Sequence, residues 1–161
     1  MGMMIAAATD KGLCMFEFAD YKLLELELRQ LATSCNAPLV QGDSPHFETL
    51  RKQMEEYFKG ERRDFDIPLD LVGTDFQKQV WLALLQIPYG CTTTYAKQAR
   101  LLGKPSAVRA VANANGKNKI SIILPCHRVI GADGTLTGYG GGMWRKKKLL
   151  EFEKKNILGN R

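Results

Sequence analysis

The chain has 161 residues, 45% hydrophobic and 25% charged, enough for one domain or two small packed subdomains and too apolar for a disordered segment. Its apolar runs fall far short of the roughly 20 residues a membrane helix needs. "MGMMIAAATDKG" also lacks a basic stretch followed by an apolar one, so no secretory signal is expected and the cytoplasm is the default location. The net charge of +6 is unevenly spread: Met1–Gly90 carries 9 Lys/Arg against 14 Asp/Glu, and Cys91–Arg161 carries 14 against 3. The second half is either a solvated basic face or a surface for a polyanion.

Along the chain, "GLCMFEF" (12–18) alternates weakly and is aromatic-rich, which predicts a strand. "DYKLLELELRQLATS" places Leu24, Leu28 and Leu31 at helical spacing, with Asp20 as the expected N-cap. Ser44-Pro45 starts a second helix with Phe47, Leu50, Met54 and Tyr57 on one face, ending at Gly60. "ERRDFDIPLDLVG" reads as an extended connector, because Pro68 forbids a helix interior.

"TDFQKQVWLALLQI" carries a capping-box pattern at Thr74 and Gln77 and an apolar face of Phe76, Val80, Trp81, Leu84 and Leu85, closed by Pro88 and Gly90. The next stretch has a helix–turn–helix pattern: a helix over about 94–102, a turn at Gly103-Lys104-Pro105, Ser106 as cap, and a helix from Ala107 to about Asn115. The second of these is mostly Ala, Val and Asn with one long cation, Arg109. It is either a tightly packed core helix or one whose small side chains let its backbone approach a nucleic-acid groove. "ISIILPCHRVIG" predicts an apolar strand ending in Pro125, Cys126 and His127, followed by the glycine-rich loop "GADGTLTGYGGG". A basic helix with Leu149, Leu150 and Phe152 as its apolar face ends the chain.

The four cysteines show no CxxC pairing, which argues against a zinc ribbon or a disulfide framework. Cys14, Cys35 and Cys91 are expected to be small buried hydrophobes. A free thiol titrates near about 8.5 and needs a base, a cation or a helix N-terminus to become a useful nucleophile. His127 is the adjacent candidate, although neighbours in extended chain point to opposite faces. A water relay or a tight turn at Pro125-Cys126 would join them, and an acid on the last helix could fix the imidazole tautomer. A structural thiol beside a histidine, or a thiol hydrolase, remains an alternative at this point.

"PCHRV" at 125–129, preceded by "TTTYAKQARLLGKPSAVRAVANANGKN" and followed by "GYGGG", resembles the O6-alkylguanine-DNA alkyltransferases. The match is dense from about Val72 to Glu153, and the resemblance is also compatible with the chain being the alkyltransferase part of a larger adaptive-response regulator. The resemblance implies an α+β chain in two parts. Residues 1–70 would form a small ribonuclease-H-like α/β subdomain, and residues 71–161 a mostly helical DNA-binding subdomain with the helix–turn–helix and the active-site strand and loop. It implies repair of double-stranded DNA by base flipping and a single irreversible transfer of the alkyl group from O6-alkylguanine, and from O4-alkylthymine, to the protein's own cysteine. No metal or organic cofactor is implied, and the chain is expected to act as a monomer.

By matching position, Cys126 would be the acceptor, His127 its base through water, Glu153 the orienting acid and Asn118 the brace of the loop. Tyr95, Val129, Tyr139 and Gly140 would bind the base, and the Cys126 and Val129 carbonyls would accept from its amino group. Arg109 would fill the hole in the stack, with Tyr95, Ala107 and Ala110 also on DNA. Phe152 stands where many members carry histidine. The competing reading is a DNA-binding or lesion-recognition module without catalysis.

Overall fold

The computed structural model describes residues 1–159, and the chain divides into two compact units, Met1–Gly73 and Thr74–Arg161. In the first, β1 (Met4–Ala8) and β2 (Leu13–Phe18) form an antiparallel pair with Met4 opposite Phe18 and a bulge at Ala7/Ala8. β1, "MIAAA", has no strand signature of its own and is held by that pairing. The connector passes alongside β2 as expected of extended chain, with Leu13 N–H donating to Pro68 O and Asp70 N–H to Leu13 O. A Cβ at residue 12 would lie 2.5 Å from Pro68 O, so this close approach requires Gly12.

Two helices complete the unit: α1 (Leu24–Cys35) and α2 (Pro45–Phe58). Cys14, Met15, Leu24 and Leu31 share a core cluster, and Leu50, Met54 and Tyr57 form the buried face of α2. Ser44 caps α2 by accepting from His46 N–H. Asp20 does not cap α1. Turn bonds from Tyr21 N–H to Phe18 O and from Leu24 N–H to Tyr21 O occupy that stretch, so the cap position falls on Leu23, which makes no side-chain bond.

The second unit begins with α3 (Asp75–Leu84), whose capping box at Thr74 and Gln77 makes both reciprocal bonds. Val80, Trp81 and Leu84 are buried, but Leu85, the C-cap with helical dihedrals, lies at the edge of that face and is 49% exposed. β3 (Thr93–Thr94) leads into α4 (Tyr95–Leu101), and after a turn α5 runs over Val108–Gly116. The cap of α5 is Ala107 rather than Ser106. Ala107 N–H bonds Lys104 O, so the turn carries the first free helical amides past the serine. Trp81 Nε1 donates to Ala114 O, and the Gln98 and Asn115 amides bond each other, pinning α3, α4 and α5 by satisfied buried polar groups.

The strand predicted before Pro125 is absent. Ile120 to Leu124 are all buried and fold as consecutive turns, with Ile123 N–H bonding Ser121 O and Leu124 N–H bonding Ile120 O. An apolar run buried on every side has no alternation to hold it extended, which is why its period could not distinguish strand from turn. The short strand comes after the cysteine instead: β4 (Val129–Ile130) pairs in parallel with β3, Thr93 opposite Val129. α6 (Met143–Gly159) closes the unit. Its buried face is Arg145, Lys146, Leu149 and Glu153, while Leu150 and Phe152 are only half-buried. The apolar face expected there is therefore replaced in large part by ionic side chains.

Candidate active site

Cys126 opens a single 3-10 turn (Cys126–Arg128) that follows Pro125 directly. Cys126 N–H donates to Leu124 O at 2.8 Å and Arg128 N–H to Pro125 O at 3.0 Å, so the chain reverses sharply and the thiol is 8% exposed. Asn118 holds the preceding loop from inside. Its Oδ1 accepts from Ile120 N–H at 2.9 Å, and its Nδ2 donates to Leu124 O at 2.8 Å and to the Cys126 sulfur at 3.3 Å. Ile122 is held at φ +72°, a conformation that costs a β-branched residue about 1–3 kcal/mol and persists only where its surroundings over-determine it.

His127 and Glu153 are both fully buried, with His127 Nε2 2.8 Å from Glu153 Oε1. Arg128 grips the same carboxylate twice, Nε to Oε2 and Nη2 to Oε1, each at 2.9 Å. Gly90 N–H adds a bond to Oε2 at 3.0 Å, and Arg128 Nη1 reaches Ile87 O at 2.7 Å. Gly90 stands at φ +72°, where a Cβ would meet Ile157 Cδ1 at 2.1 Å, so only glycine brings that amide to the acid.

Burial pushes the Glu153 carboxyl upward, but the bonds and charges of His127 and Arg128 outweigh it and hold it at about 2. Burial pushes His127 down, against the Glu153 bond that pulls it up. Arg128 already matches the carboxylate charge, so the histidine is neutral. With Nε2–H donating to Glu153, Nδ1 keeps the lone pair, and Nδ1 is buried with no hydrogen-bond partner among the described residues. The arrangement is a neutral base, oriented by an ionised acid, next in sequence to a thiol.

Tyr95 at the start of α4 and Lys146 on α6 meet at the carbonyl of Thr137. Tyr95 Oη donates to Thr137 O at 3.0 Å, and Lys146 Nζ donates to the same carbonyl at 2.7 Å and to Tyr95 Oη at 3.4 Å. Burial raises the Tyr95 phenol, with the Cys126 charge adding to the rise, so it stays a donor. The glycine loop brings Tyr139 into the interior (8% exposed) and leaves Gly140 at the surface, while Val129 is fully buried. On α5, Arg109 and Ala110 are exposed and Ala107 is half-buried, whereas Val111, Ala114 and Asn115 point inward. The outer face of that helix is thus small side chains with one long cation.

Residues 75–155 match the model of the 6-O-methylguanine DNA methyltransferase DNA binding domain, and residues 1–71 match that of the 6-O-methylguanine DNA methyltransferase ribonuclease-like domain. The chain belongs to the 6-O-methylguanine DNA methyltransferase family. A methylated-DNA–protein-cysteine methyltransferase of Mycobacterium tuberculosis is 62% identical over 112 residues, covering 70% of this chain and 68% of that protein. One of Methanosarcina barkeri is 53% identical over 111 residues, covering 69% and 70%. Among solved structures, the M. tuberculosis O6-methylguanine methyltransferase superposes with a TM-score of 0.81 at 44% identity, over 96% of this chain and 88% of that one. M. tuberculosis OGT in complex with DNA gives 0.80 at 42% identity, over 97% and 91%. The α+β class, with its ribonuclease-like first part and helical second part, is that of the methyltransferase family.

Three parts of the site were not singled out by sequence reasoning. Arg128 lies within "PCHRV", whose pattern gives it no separate signal, Gly90 reads locally as a helix stop, and Lys146 is one of the run "RKKK". Only a helical-wheel count anchored on Glu153 would have separated Lys146, on the same face, from Lys147 and Lys148.

Proposed function

We propose that this chain repairs DNA by direct reversal, as a single-use methylated-DNA–protein-cysteine methyltransferase whose acceptor is Cys126. The observation that carries this reading is the buried set of Cys126, neutral His127 and ionised Glu153 in a chain of this family. Nδ1 of His127 takes the thiol proton through a bridging water, which also gives that buried nitrogen the partner it needs. The sulfur then attacks the alkyl carbon: the S–C bond forms, the C–O6 bond breaks, and its electron pair stays on the guanine, which picks up a proton as it leaves. The thioether is not hydrolysed, so each molecule acts once.

An alkyl group inside a duplex is out of reach, so the base must leave the stack. Arg109, exposed on the small-residue face of α5, fills the gap, with Ala107 and Ala110 allowing the close approach. Tyr95, Tyr139, Gly140 and the Cys126 and Val129 carbonyls hold the flipped base, O6-alkylguanine foremost and O4-alkylthymine second, while Asn118 braces the loop beneath it. Every group named comes from one chain, so a monomer suffices.

Incubation with a duplex containing O6-methylguanine, followed by digestion and mass spectrometry, tests this. One methyl group per chain on the Cys126 peptide is expected; an unmodified Cys126 with the lesion intact overturns the reading.

A further inference from the structure

Gly140, Gly141 and Gly142 follow one another at the end of the loop, just before α6. Consecutive glycines have no side chains to hold them and the widest choice of backbone conformations, so a fixed shape there must be imposed from outside. Gly142 N–H donates to Tyr139 O at 3.0 Å, closing a turn over Tyr139–Gly142, and Gly142 stands at φ +91°. Gly142 O accepts from Arg145 and Lys146 N–H at 3.1 and 3.2 Å, which joins the turn to the helix.

Arg145 holds the turn from inside. Its Nη1 donates to the buried Gly141 carbonyl at 2.9 Å, so the Gly141–Gly142 peptide is bonded at both its oxygen and its nitrogen. Arg145 is 5% exposed and lies in the first turn of α6, where the helix dipole disfavours a cation. The charge-assisted bond to Gly141 O offsets that cost. Trp144 holds the turn from outside. Its indole stacks on the guanidinium at 4.5 Å, and a Cβ at residue 142 would meet its Cδ1 and Nε1 at 3.3 Å.

We propose that Arg145 is a positioning residue for capture of the alkylated base: with Trp144 stacked on it, its guanidinium locks the three-glycine turn in the form that presents Tyr139 and the Gly140 amide to the flipped purine.

The inference rests on the alkyltransferase reading, in which those two residues meet the base. The lock is already set in the free protein, so binding does not have to order the glycines and the amide stands ready. Arg145 acts on the pocket wall, whereas the sulfur is held by Asn118 on the 3-10 turn. Two reagents therefore separate its part: iodoacetamide needs the sulfur but no base pocket, and free O6-benzylguanine needs both.

The rates at which Cys126 reacts with each reagent are measured by peptide mass spectrometry for the wild type, Arg145→Met and Trp144→Ala, together with hydrogen–deuterium exchange over residues 138–146. In Arg145→Met the reaction with O6-benzylguanine is expected to slow about tenfold and the turn to exchange faster, with the iodoacetamide rate unchanged. An arginine that merely stabilised the unit would not separate the two reagents. An undiminished O6-benzylguanine rate in Arg145→Met, an equal fall with both reagents, or a fall without faster exchange overturns the proposal.

Should Arg145→Met not fold, Trp144→Ala decides, because a ring that is 50% exposed can be removed without opening a core. A loss of about threefold with O6-benzylguanine alone is expected, and no loss overturns the proposal. A wild type that takes no alkyl group from O6-benzylguanine or from the O6-methylguanine duplex refutes the alkyltransferase reading and this inference with it. A wild type that does, beside an unimpaired variant, refutes the inference alone.

Discussion

Each unit of this protein buries a thiol, and the two surroundings are opposites. Cys14, 4% exposed in the core cluster of the first unit, is pushed up to about 11 by burial, with Cys35 and Asp70 adding to the rise. Cys126, 8% exposed, has Asn118 Nδ2 on its sulfur and a neutral imidazole on the next residue, held by the Glu153–Arg128 ion pair. Burial alone makes a thiol inert; burial among donors and cations makes it a nucleophile. The ion pairs differ in the same way. In the first unit Glu25–Arg29 lies in solvent, with side chains 80% and 76% exposed, whereas in the second Glu153 is fully buried between Arg128 and His127. A buried ionic cluster is poor value for stability compared with apolar packing. Concentrating one at Cys126 fits a unit shaped for chemistry.

The largest effect should come from exchanging the thiols. Cys126→Ser is expected to abolish methyl transfer while leaving DNA binding intact, and Cys14→Ser to leave transfer unchanged, as measured by methyl stoichiometry and a binding titration. Retention of transfer by Cys126→Ser would remove the difference between the two cysteines. Next in size, Arg109→Ala should slow repair of a lesion in duplex DNA on the order of tenfold or more, because nothing then offsets the unstacking of the flipped base. Reaction with free O6-benzylguanine should be unaffected, and equal loss on both substrates would place Arg109 in the fold rather than on DNA.

Stability separates the ion pairs. Glu153→Gln strips the buried Arg128 of its charge partner and should lower the unfolding free energy by about 3–5 kcal/mol, whereas Glu25→Gln should cost less than about 0.5 kcal/mol. Urea titrations of the two variants at neutral pH check both values. The smallest effect is the shape of the acid limb. Glu153 is held below its unfolded value of 4.5, so its contribution is fully present above that value and lost as the pH falls toward about 2. His127, lowered by burial from 6.5, adds a loss that begins as the pH drops below 6.5. Unfolding free energies measured from pH 7 downward should therefore fall more steeply in the wild type than in Glu153→Gln, and parallel curves would contradict the buried assignment.

By itself the sequence determined the elements with strong local signals. The Ser44-Pro45 start, the Thr74/Gln77 capping box and the helix–turn–helix over Tyr95 to Gly116 follow from short-range hydrogen bonding and apolar period, and all are legible from residues a few positions apart. The register of "PCHRV" with Tyr95, Arg109 and Asn118 likewise pointed to the family. Tertiary structure alone decided the rest. Ile120 to Leu124 became turns because they are buried on all sides and stapled by Asn118. Asp20 and Ser106 lost their cap positions to turn bonds that no local pattern announced. Gly90, His127 and Arg128 meet on the Glu153 carboxylate, and Lys146 meets Tyr95 at the Thr137 carbonyl, from widely separated places in the chain. Which of three consecutive lysines loses its water is a matter of which face α6 turns inward, and that face is set by packing partners distant in sequence.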